Sequence, residues 1–261
     1  MEYKNIIFEK KENGVARITL NRPEVMNALD ATTLEELGAA ADDINNDVSV
    51  RVVIITAAGK AFCTGADLTA VSVIPEGKPV DYFLRLWHKT FSAIENIGVP
   101  VIGMVQGTAY AGGLELTMVC DLVVAAEDAK LSDQHANRGL VPAGGATQRL
   151  PRLIGIRKAK ELLFLGDRIT GAEAEKLGLV NKAVPADKLE EAVDEIVQNF
   201  LGKSPMAAKA VKRLVNRGMD GSLETGLQAE LLAMTAHGYS EDFKEGIAAF
   251  IEKRPAKFPG K

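Results

Sequence analysis

Val99-Pro100-Val101-Ile102-Gly103-Met104-Val105, then Ala109-Tyr110-Ala111-Gly112-Gly113-Leu114-Glu115, then Leu122-Val123-Val124-Ala125-Ala126: here the chain leaves one apolar run, turns at a glycine pair and enters another. An unbroken β-branched and apolar run is the pattern of a strand covered on both faces. Leu114, Leu116, Met118 and Val119 after the glycines suit a short helix starting near Ala111. Strand, helix and strand in succession call for parallel pairing. Upstream the unit recurs. Leu34, Leu37, Ala40, Ala41 and Ile44 mark a helix over Thr33–Ile44 that feeds the run Arg51–Thr56, and a second helix over Tyr82–Ile97 feeds Val99–Val105. The expected class is α/β.

The flanks complete this picture. Asn13-Gly14 between apolar residues predicts a hairpin over Ile6–Leu20. After Gly145 the pattern is mainly helical: Thr147–Leu153, Lys158–Leu165, Gly171–Leu177, Ala186–Leu201, Pro205–Asn216, and from Leu223 onward. No low-complexity linker interrupts it, so 261 residues are read as one large domain: a core over 1–200 and a C-terminal helical region over 201–261, packed on the core or on a neighbouring subunit. A net charge of -4 without a run of five like charges offers no field for nucleic acid. No apolar stretch approaches the ~20 residues of a membrane span, and the N-terminus lacks a signal-peptide pattern, so a cytoplasmic location is expected. Cys63 and Cys120 are too few for a disulfide framework and lack metal-site spacing; both are read as packing residues.

Two glycine-bearing segments each follow a strand: Ala61-Phe62-Cys63-Thr64-Gly65-Ala66-Asp67-Leu68 and Ala109–Glu115. Glycine brings backbone amides close to a ligand, and in the second segment those amides open a helix, where unpaired N–H groups favour negative charge. Each alone is equally an ordinary turn, and neither fits a phosphate-loop pattern. Glu115 stands in an apolar run. If buried, its pKa rises into the range of a proton-transfer group; the bland alternative is a carboxylate on an exposed helix face. His135, in Leu131-Ser132-Asp133-Gln134-His135, is either a proton-transfer group or a structural histidine. His88 and His237 lack a catalytic context.

Several further segments stand in a familiar order: Asn21-Arg22-Pro23 with Asn27-Ala28-Leu29, Cys120-Asp121-Leu122, Gly145-Ala146-Thr147-Gln148-Arg149-Leu150, Gly171-Ala172-Glu173-Ala174 with Gly178-Leu179-Val180, and Glu245-Gly246-Ile247-Ala248-Ala249-Phe250. With the two glycine loops they resemble the crotonase superfamily, the enoyl-CoA hydratase and isomerase family, over nearly the whole chain. The resemblance implies an α/β spiral of strand-strand-helix units with a C-terminal helical region, and homotrimers that pair into homohexamers. It implies that the backbone amides of Ala66 and Gly112 hold the thioester oxygen of an acyl-CoA. Ala28, Ala61, Thr64, Gly65, Ala66 and Leu68 would wrap the CoA, with Asp67 steadying the loop.

Glu115 matches the first of the two hydratase glutamates. The second position carries His135 instead, and Ala143 replaces a glycine whose amide helps to hold the water. The implied reaction is reversible addition of water to a 2,3-unsaturated acyl-CoA, with Glu115 and His135 as the catalytic pair. The rivals are isomerisation or thioester hydrolysis on the same scaffold, or a non-catalytic CoA-binding subunit. The resemblance calls for no metal and no cofactor beyond the CoA of the substrate. The acyl group is expected to be read by Val71–Asp81 and by the helix bearing Leu84 and Trp87, although Trp87 is also read simply as core.

Overall fold

The computed structural model describes residues 3–69 and 80–261. Its front is the expected hairpin, β1 (Ile6–Lys10) antiparallel to β2 (Val15–Leu20). α1 (Ala31–Asn46) starts at Asp30, whose carboxylate accepts the Thr33 N–H at 2.8 Å and so satisfies a free amide of the first turn. The apolar stripe of this helix, Leu34, Leu37, Ala40, Ala41 and Ile44, is buried.

The chain then repeats one plan. β3 (Val52–Ala57) leads into β4 (Ala61–Cys63) and, past α2 (Val80–Glu95), β5 (Val101–Val105) leads into β6 (Thr108–Tyr110) and α3 (Gly112–Thr117). β7 (Leu122–Ala126) likewise leads into β8 (Lys130–Ser132). After α4 (Ala146–Ile154) and α5 (Ile156–Leu165) come β9 (Ile169–Thr170), α6 (Gly171–Lys176) and β10 (Lys182–Val184). The first strands of the pairs β3/β4, β5/β6 and β7/β8 join β1, β2 and β10 in a six-stranded sheet in the order β1-β2-β3-β5-β7-β10, parallel except at the hairpin. The second strands join β9 in a four-stranded sheet, β4-β6-β8-β9, parallel except at β8 and β9. β3 and β5 are buried at every residue, which is why their sequences are apolar without alternation.

The run expected to form a strand from Val99 begins its pairing two residues later. Pro100 has no N–H for the ladder, and only its carbonyl is used, accepting the Val53 N–H at 2.9 Å. The expected helix over Ala186–Leu201 opens as a single 3-10 turn before α7 (Leu189–Leu201). α8 (Pro205–Gly218), α9 (Leu223–His237) and α10 (Glu241–Glu252) follow, the last two separated at Gly238–Ser240. Lys212 of α8 donates to Asp121 at 2.6 Å and to the Val99 carbonyl at 3.2 Å, which ties α8 to the core although neither α8 nor α9 has a fully buried residue. Among the described residues no helix is long and apolar enough to cross a membrane.

Candidate active site

Three short parallel strands, β4, β6 and β8, end on the same side of their sheet. Whatever follows each strand is therefore delivered to one place, the carboxyl edge where α/β folds commonly build sites. After β4 comes the Thr64–Leu68 loop, after β6 comes Ala111 and α3, and after β8 come Asp133 and His135. The two glycine loops meet closely: a β-carbon on Gly65 would stand 3.0 Å from the Gly112 nitrogen.

At this junction two amides are left over. Ala66 forms a parallel bridge with Leu29 in which the Leu29 N–H donates to the Gly65 carbonyl at 2.8 Å and the Asp67 N–H donates to the Leu29 carbonyl at 2.9 Å. Such a bridge uses the groups on either side of Ala66 and turns its own N–H away. Gly112 is the first residue of α3, where amides have no partner within the helix, and no side chain caps it. Neither N–H donates a hydrogen bond among the described residues. The chain reaches this geometry through Ala111, a non-glycine residue at φ 48° and ψ -117°, held by its N–H on the Ser132 carbonyl at 2.9 Å.

One helical turn on, Glu115 is 1% exposed, which removes the exposed-face reading. Its Oε1 accepts the Gly144 N–H at 2.8 Å and the Ala146 N–H at 3.0 Å. Burial pushes its pKa above the ordinary 4.5; the Ala146 amide, the charge of His135 and the Gly144 amide offset this in part. Oε2 makes no hydrogen bond among the described residues and faces Gly144, where a side chain would overlap both it and the Trp87 indole nitrogen. Arg149 braces that loop, donating to the Gly144 carbonyl at 3.1 Å while pairing with both oxygens of Glu95 at 2.8 and 2.6 Å.

His135 stands against this carboxylate closely enough for each to shift the other's titration. Its Nδ1 lies 3.0 and 3.1 Å from the two oxygens of Asp133, which is fully buried. Burial of the ring lowers its pKa, but the hydrogen bond and charge of Asp133, with the charge of Glu115, outweigh this and raise it above 6.5.

Trp87 is 4% exposed and packs between Phe83, edge-on, and Phe91, tilted, with ring centroids 5.5 and 5.2 Å away. It is core by packing, yet it also floors the site, since its benzo edge would be struck by any side chain at Gly112 and its Nε1–H is buried with no acceptor among the described residues.

The remaining candidates flank this centre. Ala28 and Ala61 are buried; Thr64, Ala66 and Asp67 are half-buried; Leu68 is exposed. Arg22 ties them, donating to the Ala28 carbonyl at 2.6 Å and to Asp67 at 3.0 Å. Ala143 is half-buried beside Gly144, and its amide does not contact Glu115. Cys63 is buried, its thiol pushed up to about 12, which suits packing and not nucleophilic attack. Of the stretch expected to read the acyl group, residues 71–79 lie outside the described residues, whereas Trp87 is in the centre. Asp133, Gly144 and Ala146 were not foreseen. The signal for Asp133 was its place two residues before His135; the two amides carry no side-chain signal at all.

The sequence signature of the family described as Enoyl-CoA hydratase/isomerase matches residues 10–261. The chain is 40% identical to a crotonyl-CoA hydratase of Syntrophomonas wolfei over all of both chains, and 39% identical to a short-chain-enoyl-CoA hydratase of Clostridium acetobutylicum over 97% of each. Its fold is similar to the crystal structure of an enoyl-CoA hydratase from Bacillus anthracis, with a TM-score of 0.95 and 39% identity over 99% of this chain and 100% of that one.

Proposed function

The chain belongs to the enoyl-CoA hydratase/isomerase family, and we infer from that premise that it is an enoyl-CoA hydratase acting on a short 2,3-unsaturated acyl-CoA. The observation that carries this reading is the juxtaposition of two undonated amides, Ala66 and Gly112, with a buried carboxylate one helical turn away. The amides bind the thioester oxygen as it becomes an enolate; one such donor typically contributes ~3 kcal/mol of barrier lowering. Glu115, with Oε1 fixed by two amides and its pKa raised, takes a proton from water through Oε2 as the water oxygen bonds to the β-carbon. His135 then gives its proton to the α-carbon as the enolate collapses. No metal or redox group enters this scheme, because the thioester and the amides together supply the acidity.

The CoA lies along the Ala28 and Ala61–Leu68 segments, which Arg22 holds together. Ala143 contributes its amide to the water. The assembly is a homotrimer or a pair of them, a reading supported by the apolar residues that α9 and α10 leave exposed, among them Leu227, Leu231, Leu232, Phe250 and Ile251. A reducing, cytoplasmic compartment suits the two free thiols. Incubation with crotonyl-CoA in deuterium oxide, followed by mass spectrometry, tests the scheme. The product should gain one water and one α-deuterium, and Glu115→Gln should slow both by about 10²–10⁴; deuterium exchange without hydration would leave the enolate and refute the hydratase.

A further inference from the structure

Asp133 is a fully buried carboxylate whose hydrogen bonds among the described residues all go to one residue. Oδ1 accepts the His135 backbone N–H at 3.3 Å, and both oxygens stand 3.0 and 3.1 Å from His135 Nδ1. A buried carboxylate this isolated is expensive unless a proton or a positive charge faces it. Nδ1–H therefore belongs on the Asp133 side, which leaves Nε2, across the ring, as the nitrogen available for proton transfer. The other charged group that acts on the ring is Glu115.

We propose that Asp133 is the positioning residue of this reaction: it holds His135 by Nδ1, presents Nε2 to the reacting carbons, and keeps the ring cationic between two carboxylates. The inference rests on the hydratase reading. It explains how a histidine works at the position where the resemblance implies a second glutamate. A carboxyl group must be kept neutral by burial to act as an acid, whereas an imidazole is kept charged by a partner.

The proton balance closes. Glu115 takes one proton from water while the water oxygen bonds to the β-carbon and the double-bond pair moves into the enolate. The enolate pair forms the α-carbon–hydrogen bond with the Nε2 proton. The proton on Glu115 passes back to the neutral imidazole, and one water has been added. In the reverse direction neutral His135 removes the α-proton, and Asp133 stabilises the imidazolium that forms.

The chain has three histidines, so nitrogen-15 NMR of the imidazoles, assigned with His135→Gln, resolves the ring directly. In the unmodified enzyme His135 should titrate above its ordinary value with Nδ1 protonated throughout. Asp133→Asn should lower that titration point, move the basic limb of the kcat profile to lower pH, and reduce kcat at neutral pH by about tenfold or more, part of the 10²–10⁴ a placed acid–base group typically supplies. KM should change far less, and Asp133→Glu should recover part of the loss. A folded Asp133→Asn enzyme with an unmoved basic limb and an unmoved His135 titration overturns the proposal. Should that variant fail to fold, the unmodified enzyme decides it: a His135 titrating at or below its ordinary value, or bare at Nδ1, is equally fatal. Failure of the unmodified enzyme to hydrate any enoyl-CoA, with the His135 titration still raised, sinks the hydratase reading and the proton route, while Asp133's grip on the ring stands by itself.

Discussion

Gly144 and Glu115 are joined on two sides. The Gly144 N–H donates to Oε1 at 2.8 Å, and the bare α-carbon of the same glycine lies against Oε2. The first contact orients the carboxylate, and the second leaves the space beside its other oxygen clear of a side chain. A donor fixed on the backbone needs no reorganisation during the reaction, which is how a preorganised site differs from water.

Gly144→Ala should therefore damage the base without touching it chemically. The new methyl group would overlap Glu115 Oε2 and Trp87 Nε1 together. Displacing the carboxylate should lower kcat on the order of 10²-fold, and overpacking should cost roughly 1–3 kcal/mol of stability. Steady-state kinetics and thermal melting check both, and unchanged kcat would mean that Oε2 is not the working oxygen.

Glu115→Gln separates catalysis from stability. Hydration should fall by about 10²–10⁴, yet the amide oxygen can still accept the Gly144 and Ala146 N–H groups. A carboxyl whose folded pKa lies above its unfolded value binds a proton more tightly when folded, so its contribution is fully present below the unfolded value and is lost as pH rises through the folded one. The variant's melting temperature should gain on the parent enzyme's as pH rises above about the ordinary carboxyl value of 4.5. Melting curves across that range suffice.

In the hydration direction the pH profile of kcat/KM should be bell-shaped. Glu115 must be ionised, and its raised pKa puts the acid limb above pH 4.5. His135 must be protonated, and its raised pKa puts the basic limb above pH 6.5. His135→Ala should remove the basic limb, which initial rates over a buffered series would reveal.

Ala111 stores strain. Its φ of 48° with ψ of -117° suits glycine, and a non-glycine residue in such a region costs about 1–3 kcal/mol. Ala111→Gly should raise the melting temperature, since relief outweighs the ~0.4–1 kcal/mol of added freedom in the unfolded chain. Calorimetry tests this, and a lower melting temperature would show that the surroundings do not strain the residue.

The helices and the large sheet were legible because burial leaves a periodic trace in the side chains. The stripe of α1 and the unbroken runs of β3 and β5 show it directly. The second sheet was not legible, since β4, β6 and β8 have three residues each and no periodicity can be read in so few. It is this sheet that aligns the three loops of the site.

Residue identity made Glu115 and His135 candidates, a carboxylate in an apolar run and an imidazole shortly before a glycine-rich loop, and the family resemblance made them a catalytic pair by position. Their partners came only with the tertiary fold. Gly144 and Ala146 act through backbone N–H groups that every non-proline residue has, and Asp133 matters through its burial and its two contacts with one ring nitrogen. Trp87, 25 positions before Gly112 and 57 before Gly144 in the chain, reaches both only because α2 packs across the site. Local sequence sets what each residue is able to do; long-range packing sets which groups are dry, which donors are left unpaired and which charges face one another.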